Sequence, residues 1–145
     1  MLHHIELWVP DLPRAVREWG WLLGRLGWLP YQDWERGRSW RLGPVYLVVE
    51  QSPAMSAAGH DRMRPGLNHL AFHAGPPAGV DALAVEAPGH GWTPLFADRY
   101  PHAGGPGHHA AYLVNTDGFE VELVASEAAQ PRKPPRTALT RRQLG

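Results

Sequence analysis

Two stretches decide the fold: LHHIELWVP at residues 2–10 and GLNHLAFHA at 66–74. Each alternates apolar and polar residues with the period of a β-strand, so that Ile5, Leu7 and Val9 share one face and His4, Glu6 and Trp8 the other. In the second stretch Leu70 and Phe72 oppose His69, Ala71 and His73. His4 and His69 thus occupy the same place in two related strands.

The segments after these two strands repeat as well. Behind the first, Asp11 offers an N-cap and Pro13 suits the first helical turn. Apolar residues at 12, 15, 16, 19, 22, 23 and 26 then keep helical spacing up to Gly27. Behind the second, a shorter helix is predicted over 77–87, with Val80, Leu83, Ala84 and Ala87 on one side and Pro88-Gly89 ending it. Three strands complete each half, at 29–35, 38–42 and 45–51 and at 92–97, 110–115 and 118–125. Gly43-Pro44 precedes VYLVVEQ in the first half as Asp117-Gly118 precedes FEVELVA in the second. Internal repetition of this kind sets the fold class. The expectation is an α+β domain over residues 1–126 made of two tandem βαβββ modules, about 1–52 and 66–126. A Gly- and Pro-rich linker at 53–65 joins them, and the basic, Pro-containing stretch 127–145 reads as a flexible tail.

Composition narrows the function. The chain has 145 residues, enough for one compact core that hides about two-thirds of the unfolded surface. It has no cysteine, so disulfides, thiolate metal sites and cysteine nucleophiles are excluded, and any metal must sit on nitrogen and oxygen. No leader-like segment or apolar run of about 18 residues is present, which makes a cytoplasmic address the default and a membrane span unexpected. Net charge is zero, but Arg132, Lys133, Arg136, Arg141 and Arg142 against Glu127 give the tail +4 and leave the remainder at −4. A domain of that sign has little electrostatic reason to bind nucleic acid.

The apolar side of the sheets collects Ile5, Leu7, Val9, Val45, Leu47, Val49, Leu70, Phe72, Phe119, Val121 and Leu123, and the helices should cover it. The opposite side collects His4, Glu6, Trp8, Tyr46, Val48, Glu50, His69, His73, Glu120 and Glu122. Antiparallel sheets often leave one face wet. This one, however, gathers the residue types that bind divalent metals and move protons. Of seven tryptophans, Trp19 falls on the helical core stripe; Trp8 and Trp40, with Trp34, are candidates for lining a cavity and favour a flat or aromatic ligand, core packing being the alternative for each. The stretch RYPHAGGPGHHAAYL, 99–113, has glycines that can bend it over a site, bringing Tyr100, His102, His108 or His109 to a substrate. Tyr100 and His109 are the substrate-contact candidates from that stretch.

In HHIELWVPDL at 3–12, NHLAFHA at 68–74 and NTDGFEVELVA at 115–125, the chain resembles the vicinal-oxygen-chelate superfamily of glyoxalase I, bleomycin-binding proteins and extradiol dioxygenases. The resemblance implies modules whose sheets curl into an open cup or barrel with helices outside. It also implies a homodimer, in which modules are in some members exchanged, and a divalent metal held by His4, His69 and Glu122. Val48 stands where the glyoxalase pattern has a fourth, carboxylate ligand, and Glu50 points the same way two residues later. Two histidines and one carboxylate leave positions open for substrate and suit Zn, Fe, Mn, Ni or Co. The implied activity is a metal-dependent lyase, isomerase or dioxygenase acting on a small molecule with vicinal oxygens, with Glu122 and His73 as proton carriers. The rival implied by the same family is a metal-free protein that sequesters an antibiotic.

Overall fold

The computed structural model describes residues 1–57 and 59–126; the tail at 127–145 lies outside the described residues. Strand β1 (His4–Trp8) leads through Asp11 into helix α1 (Leu12–Arg25). The Asp11 carboxylate accepts the Arg14 backbone N–H at 3.0 Å, capping one of the donors that a helix start leaves unpaired. Strands β2 (Leu29–Trp34), β3 (Gly37–Leu42) and β4 (Val45–Glu50) come next. The second module repeats the order with β5 (His69–His73), α2 (Pro77–Glu86), a 3-10 turn over Ala87–His90, β6 (Trp92–Leu95), β7 (Ala110–Asn115) and β8 (Glu120–Val124). Among the described residues, no helix is long and apolar enough to cross a membrane.

Each module makes one four-stranded sheet, in the order β1-β4-β3-β2 and β5-β8-β7-β6, with the first and last strands of the module parallel. Register fixes the pseudosymmetry residue by residue. His4 pairs with Tyr46 and Glu6 with Val48; His69 pairs with Glu120 and Ala71 with Glu122. Val48 is therefore the counterpart of Glu122, and Glu50 that of Val124, one pleat further along.

The predicted apolar face is the core. Leu7, Val9, Leu47, Val49, Phe119, Val121 and Leu123 are buried, with Ile5, Leu70 and Phe72 packed around them. Helix α1 contributes Ala15, Trp19, Leu22 and Leu23, all at 0% exposure, to a cluster that includes both modules. Trp19 meets Trp92 edge-on at 5.0 Å and Phe119 at 6.0 Å. Helix α1 thus lies between the helix-covered faces of the two sheets, which share one core. Their other faces look outward from it, and within one chain the sheets do not close on each other.

Polar ties fix α1 against the second module. Arg14 pairs at 2.5 Å with Asp117, whose side chain is almost fully buried in the β7–β8 turn. Glu18 accepts a hydrogen bond from Thr116, and its backbone carbonyl accepts the Trp92 indole N–H at 3.0 Å. The burial of Glu18, on the inner stripe of an amphipathic helix, was not expected from its residue type. Burial pushes its carboxyl above the usual range, against the Thr116 hydrogen bond that favours the ionised form.

Candidate functional site

The outward face of the second sheet carries a polar cluster in which His69, His108 and Tyr112 converge on Glu122. Glu122, on the central strand β8, is 8% exposed and stands beside Tyr112 of β7 and Ala71 of β5. The small Ala71 leaves a diagonal open along which His69 reaches Glu122, with Nε2 3.2 Å from Oε2. The other oxygen is occupied from the opposite side: His108 Nε2 lies 2.5 Å from Oε1, and the Tyr112 hydroxyl donates to it at 3.0 Å.

These contacts set the protonation of the cluster. Burial by itself would raise the Glu122 pKa, but the hydrogen bonds from His108 and Tyr112 and the charges of His108 and His69 outweigh it, and the carboxyl is held below its usual range. Burial and the neighbouring carboxylate push the Tyr112 phenol up to about 12, so it stays a donor at neutral pH. His108 reaches this place through the turn Gly104-Gly105-Pro106-Gly107. A Cβ on Gly104 would stand 2.6 Å from both the His108 ring and the Tyr112 hydroxyl, so the loop fits against these two side chains only with glycine there. Gly105 and Gly107 adopt φ of +124° and +75°, the left-handed region that glycine enters freely. Glu120, next to His69 in register, is taken up by Arg62 of the linker at 2.8 Å and is a structural ion-pair partner.

The remaining sequence candidates fall in several places. His4 lies on the outward face of the first sheet, stacked on Tyr46 at 4.8 Å and within 2.8 Å of His3, while His69 and Glu122 belong to the other sheet. Trp8 shares that first face, half exposed, and its indole N–H donates to Glu6. Glu50 stands beside Glu6, and hydrogen bonding to that carboxyl, with burial and its charge, raises the Glu50 pKa. Trp40 is on the reverse side, 5% exposed, with its indole packed on Gly20 of α1; its parity in β3 matches Leu47, a core residue, and it belongs to the core rather than to a cavity.

His73 stands four residues beyond His69, about 13 Å along an extended strand, in a cleft formed with Arg25, Leu26, Gly27 and Gly75. Tyr100 and His109 turn to the helix side, where both bond Asp81 of α2, His109 at 2.9 Å. Tyr100 and Asp81 rim an apolar cleft of about 290 Å³ lined by Ala84, Val85, Pro94, Leu95 and Leu113. Consecutive histidines therefore serve opposite faces of one sheet, His108 the carboxylate and His109 the helix. Tyr112 was missed at the sequence level although its parity in AAYLVN, opposite to Ala111 and Leu113, places it on the outward face.

Among the described residues, no three His, Asp or Glu side chains of a single chain already converge on one point as a metal centre. His69 and His108 flank Glu122 from opposite oxygens. The His69–Glu122 pair does fit a divalent metal by its donor chemistry and spacing. Donors bound at about 2.0–2.2 Å stand roughly 3.0–3.5 Å apart, and the observed separation is 3.2 Å.

Comparison with known proteins agrees with this architecture. Residues 3–112 match the model of the Glyoxalase/Bleomycin resistance protein/Dioxygenase superfamily. The chain is 45% identical over 126 residues to the protein YqjT of Bacillus subtilis, covering 86% of this chain and 98% of that one. The crystal structure of a candidate glyoxalase from Bacillus halodurans superposes with a TM-score of 0.82 at 42% identity, covering 87% of this chain and 96% of that one. A lactoylglutathione lyase from Agrobacterium tumefaciens shares the fold at a TM-score of 0.61 and 18% identity, over 87% and 93% of the two chains. The repeated βαβββ modules, their parallel first and last strands and these matches lead to one conclusion: the chain belongs to the glyoxalase/bleomycin resistance protein/dioxygenase superfamily.

Proposed function

We propose that the protein is a metal-dependent enzyme acting on a small molecule with adjacent oxygens, and that His69 and Glu122 of one chain with His4 of a second copy hold the metal. The observation that carries this reading is the His69–Glu122 pair at 3.2 Å on an outward face, with the carboxylate kept ionised. Because the helix-covered faces share one core, His4 and His69 look outward from different sheets of the same chain. A homodimer that sets the first sheet of one copy over the second sheet of the other brings them together and closes a cup. The exposed aromatic residues of the first sheet, Trp8, Tyr31 and Trp34, then become cavity wall.

A bound divalent metal would supply Lewis acidity that stabilises negative charge developing on a substrate oxygen. The chain's own residues supply the rest. Glu122 would serve as both ligand and proton carrier through Oε2, the oxygen beside His69 that is not committed to His108 or Tyr112, by loosening its hold on the metal to take a proton. His108 and Tyr112 steady it, and Trp8 offers a flat apolar surface for the substrate body. His73, by its distance along β5, takes no part in this step.

Chain mixing tests the reading. His4→Ala and Glu122→Ala proteins should each bind little metal as homodimers, whereas mixed dimers of the two should regain about half of the wild-type metal content. Failure of mixing to restore any metal, with dimers shown to exchange, contradicts a site shared between copies. A wild-type protein that takes up no metal on reconstitution favours the family's alternative, an antibiotic-sequestering protein.

A further inference from the structure

The Glu122 carboxylate is held asymmetrically. A carboxylate oxygen has two lone-pair directions. On Oε1 both are used, one by His108 Nε2 at 2.5 Å and one by the Tyr112 hydroxyl at 3.0 Å, while among the described residues Oε2 faces only His69, at 3.2 Å. Neither contact is incidental to the fold. Tyr112 sits opposite Glu122 in the β7–β8 register, so its hydroxyl is aimed by the sheet itself. His108 is aimed by the glycine turn, whose Gly104 approaches both donors so closely that any side chain there would collide with them.

Resting on the metal site proposed above, we infer that His108 and Tyr112 are positioning residues that occupy Oε1 and present Oε2 alone to the metal beside His69. Glu122 then binds through one oxygen, and the coordination position that a two-oxygen carboxylate would fill stays open for substrate. This matters more here than in a four-ligand site, because Val48 stands in the position equivalent to Glu122 and brings no oxygen. With three protein ligands, the way the single carboxylate binds decides how many positions remain. An ionised carboxylate only accepts hydrogen bonds, so the role requires His108 to carry its proton on Nε2.

The test uses Co²⁺ as probe on full-length metal-free protein, reading affinity by competition with a chelator and coordination number by visible absorption. Wild type should bind one Co²⁺ per chain. Tyr112→Phe and His108→Ala should each weaken binding by about 10- to 100-fold, the usual effect of removing an outer partner of a metal ligand. Their Co²⁺ absorption should fall in intensity as Oε1 joins the metal and the coordination number rises. His108→Gln, whose amide N–H can donate to Oε1, should recover most of both signals. Wild-type binding with unchanged affinity and spectrum in His108→Ala and Tyr112→Phe overturns the inference while leaving the metal site standing. Equal loss in His108→Gln and His108→Ala overturns it too, by marking the imidazole as a direct ligand. Absence of Co²⁺ binding in wild type removes both the metal site and this inference. Should His108→Ala melt earlier than wild type without metal, Tyr112→Phe carries the comparison, since it deletes one oxygen and leaves the ring in place.

Discussion

Trp19 and Trp92 are both at 0% exposure and touch edge to face, yet replacing them by phenylalanine should have quite different costs. The Trp92 indole N–H donates to the Glu18 backbone carbonyl at 3.0 Å. Trp92→Phe loses that bond, about 1 kcal/mol on top of about 1–2 kcal/mol for the smaller ring, while the carbonyl keeps its place in the helix. Among the described residues the buried Trp19 N–H has no partner. Trp19→Phe suffers a similar loss of volume but removes an unsatisfied donor, recovering about 1–3 kcal/mol of desolvation. The two variants should therefore differ by about 2 kcal/mol, or roughly 4–8 °C in melting temperature for a chain of this length, with Trp19→Phe near wild type. Urea denaturation followed by circular dichroism measures the difference. Equal destabilisation, or a costlier Trp19→Phe, would refute the claim that the modules share a core organised by the Trp92–Glu18 bond.

Single contacts elsewhere in the chain have measurable consequences too. Gly118 has φ of +90°, and a Cβ there would lie 2.3 Å from the His60 carbonyl; Gly118→Ala should cost about 1–3 kcal/mol, measured by urea denaturation. At Gly37 the atoms nearest an added Cβ belong to the ring of the exposed Trp34, at 2.1 Å, a side chain free to swing aside, so Gly37→Ala should shift tryptophan fluorescence while leaving thermal stability nearly unchanged. Two carboxyls should give opposite pH slopes in the metal-free protein. Glu122, with its folded pKa depressed, contributes stability that is complete above the unfolded carboxylate value and is lost as pH falls through the folded one. Glu18, with its pKa raised by burial, contributes stability that is complete below the unfolded value and is lost as pH rises through the folded one. Denaturation at stepped pH should accordingly show Glu122→Gln flattening the acid side of the profile and Glu18→Gln the side above it.

The fold was legible because it is written twice. Alternation in HHIELWV and NHLAFHA set the faces, and the core found in the structure contains the residues that alternation assigned to it, from Leu7 to Leu123. Capping at Asp11 and the predicted span of the second helix also agree with the observed elements. The parts that were not legible depend on packing between distant segments. Glu18 lies on the buried stripe because Thr116 and Trp92, about a hundred and about seventy positions away, supply its partners. Trp40 looked like a cavity residue by type, but parity with Leu47 sends it into the core. His108 and His109 are identical neighbours in the sequence; only the approach of the glycine turn on one side and Asp81 on the other separates their roles. Alternation placed His69 and Glu122 on the polar face and the family resemblance singled them out there, whereas the clamp on Oε1 required a three-dimensional register.

The most direct measurement of a metal centre at His69 and Glu122 is metal content by elemental mass spectrometry of untagged protein purified without chelators, wild type against Glu122→Ala. About one equivalent of a divalent transition metal per chain is expected in wild type, with its loss in the variant. No metal in wild type even after reconstitution, or equal metal in both proteins, would contradict the assignment.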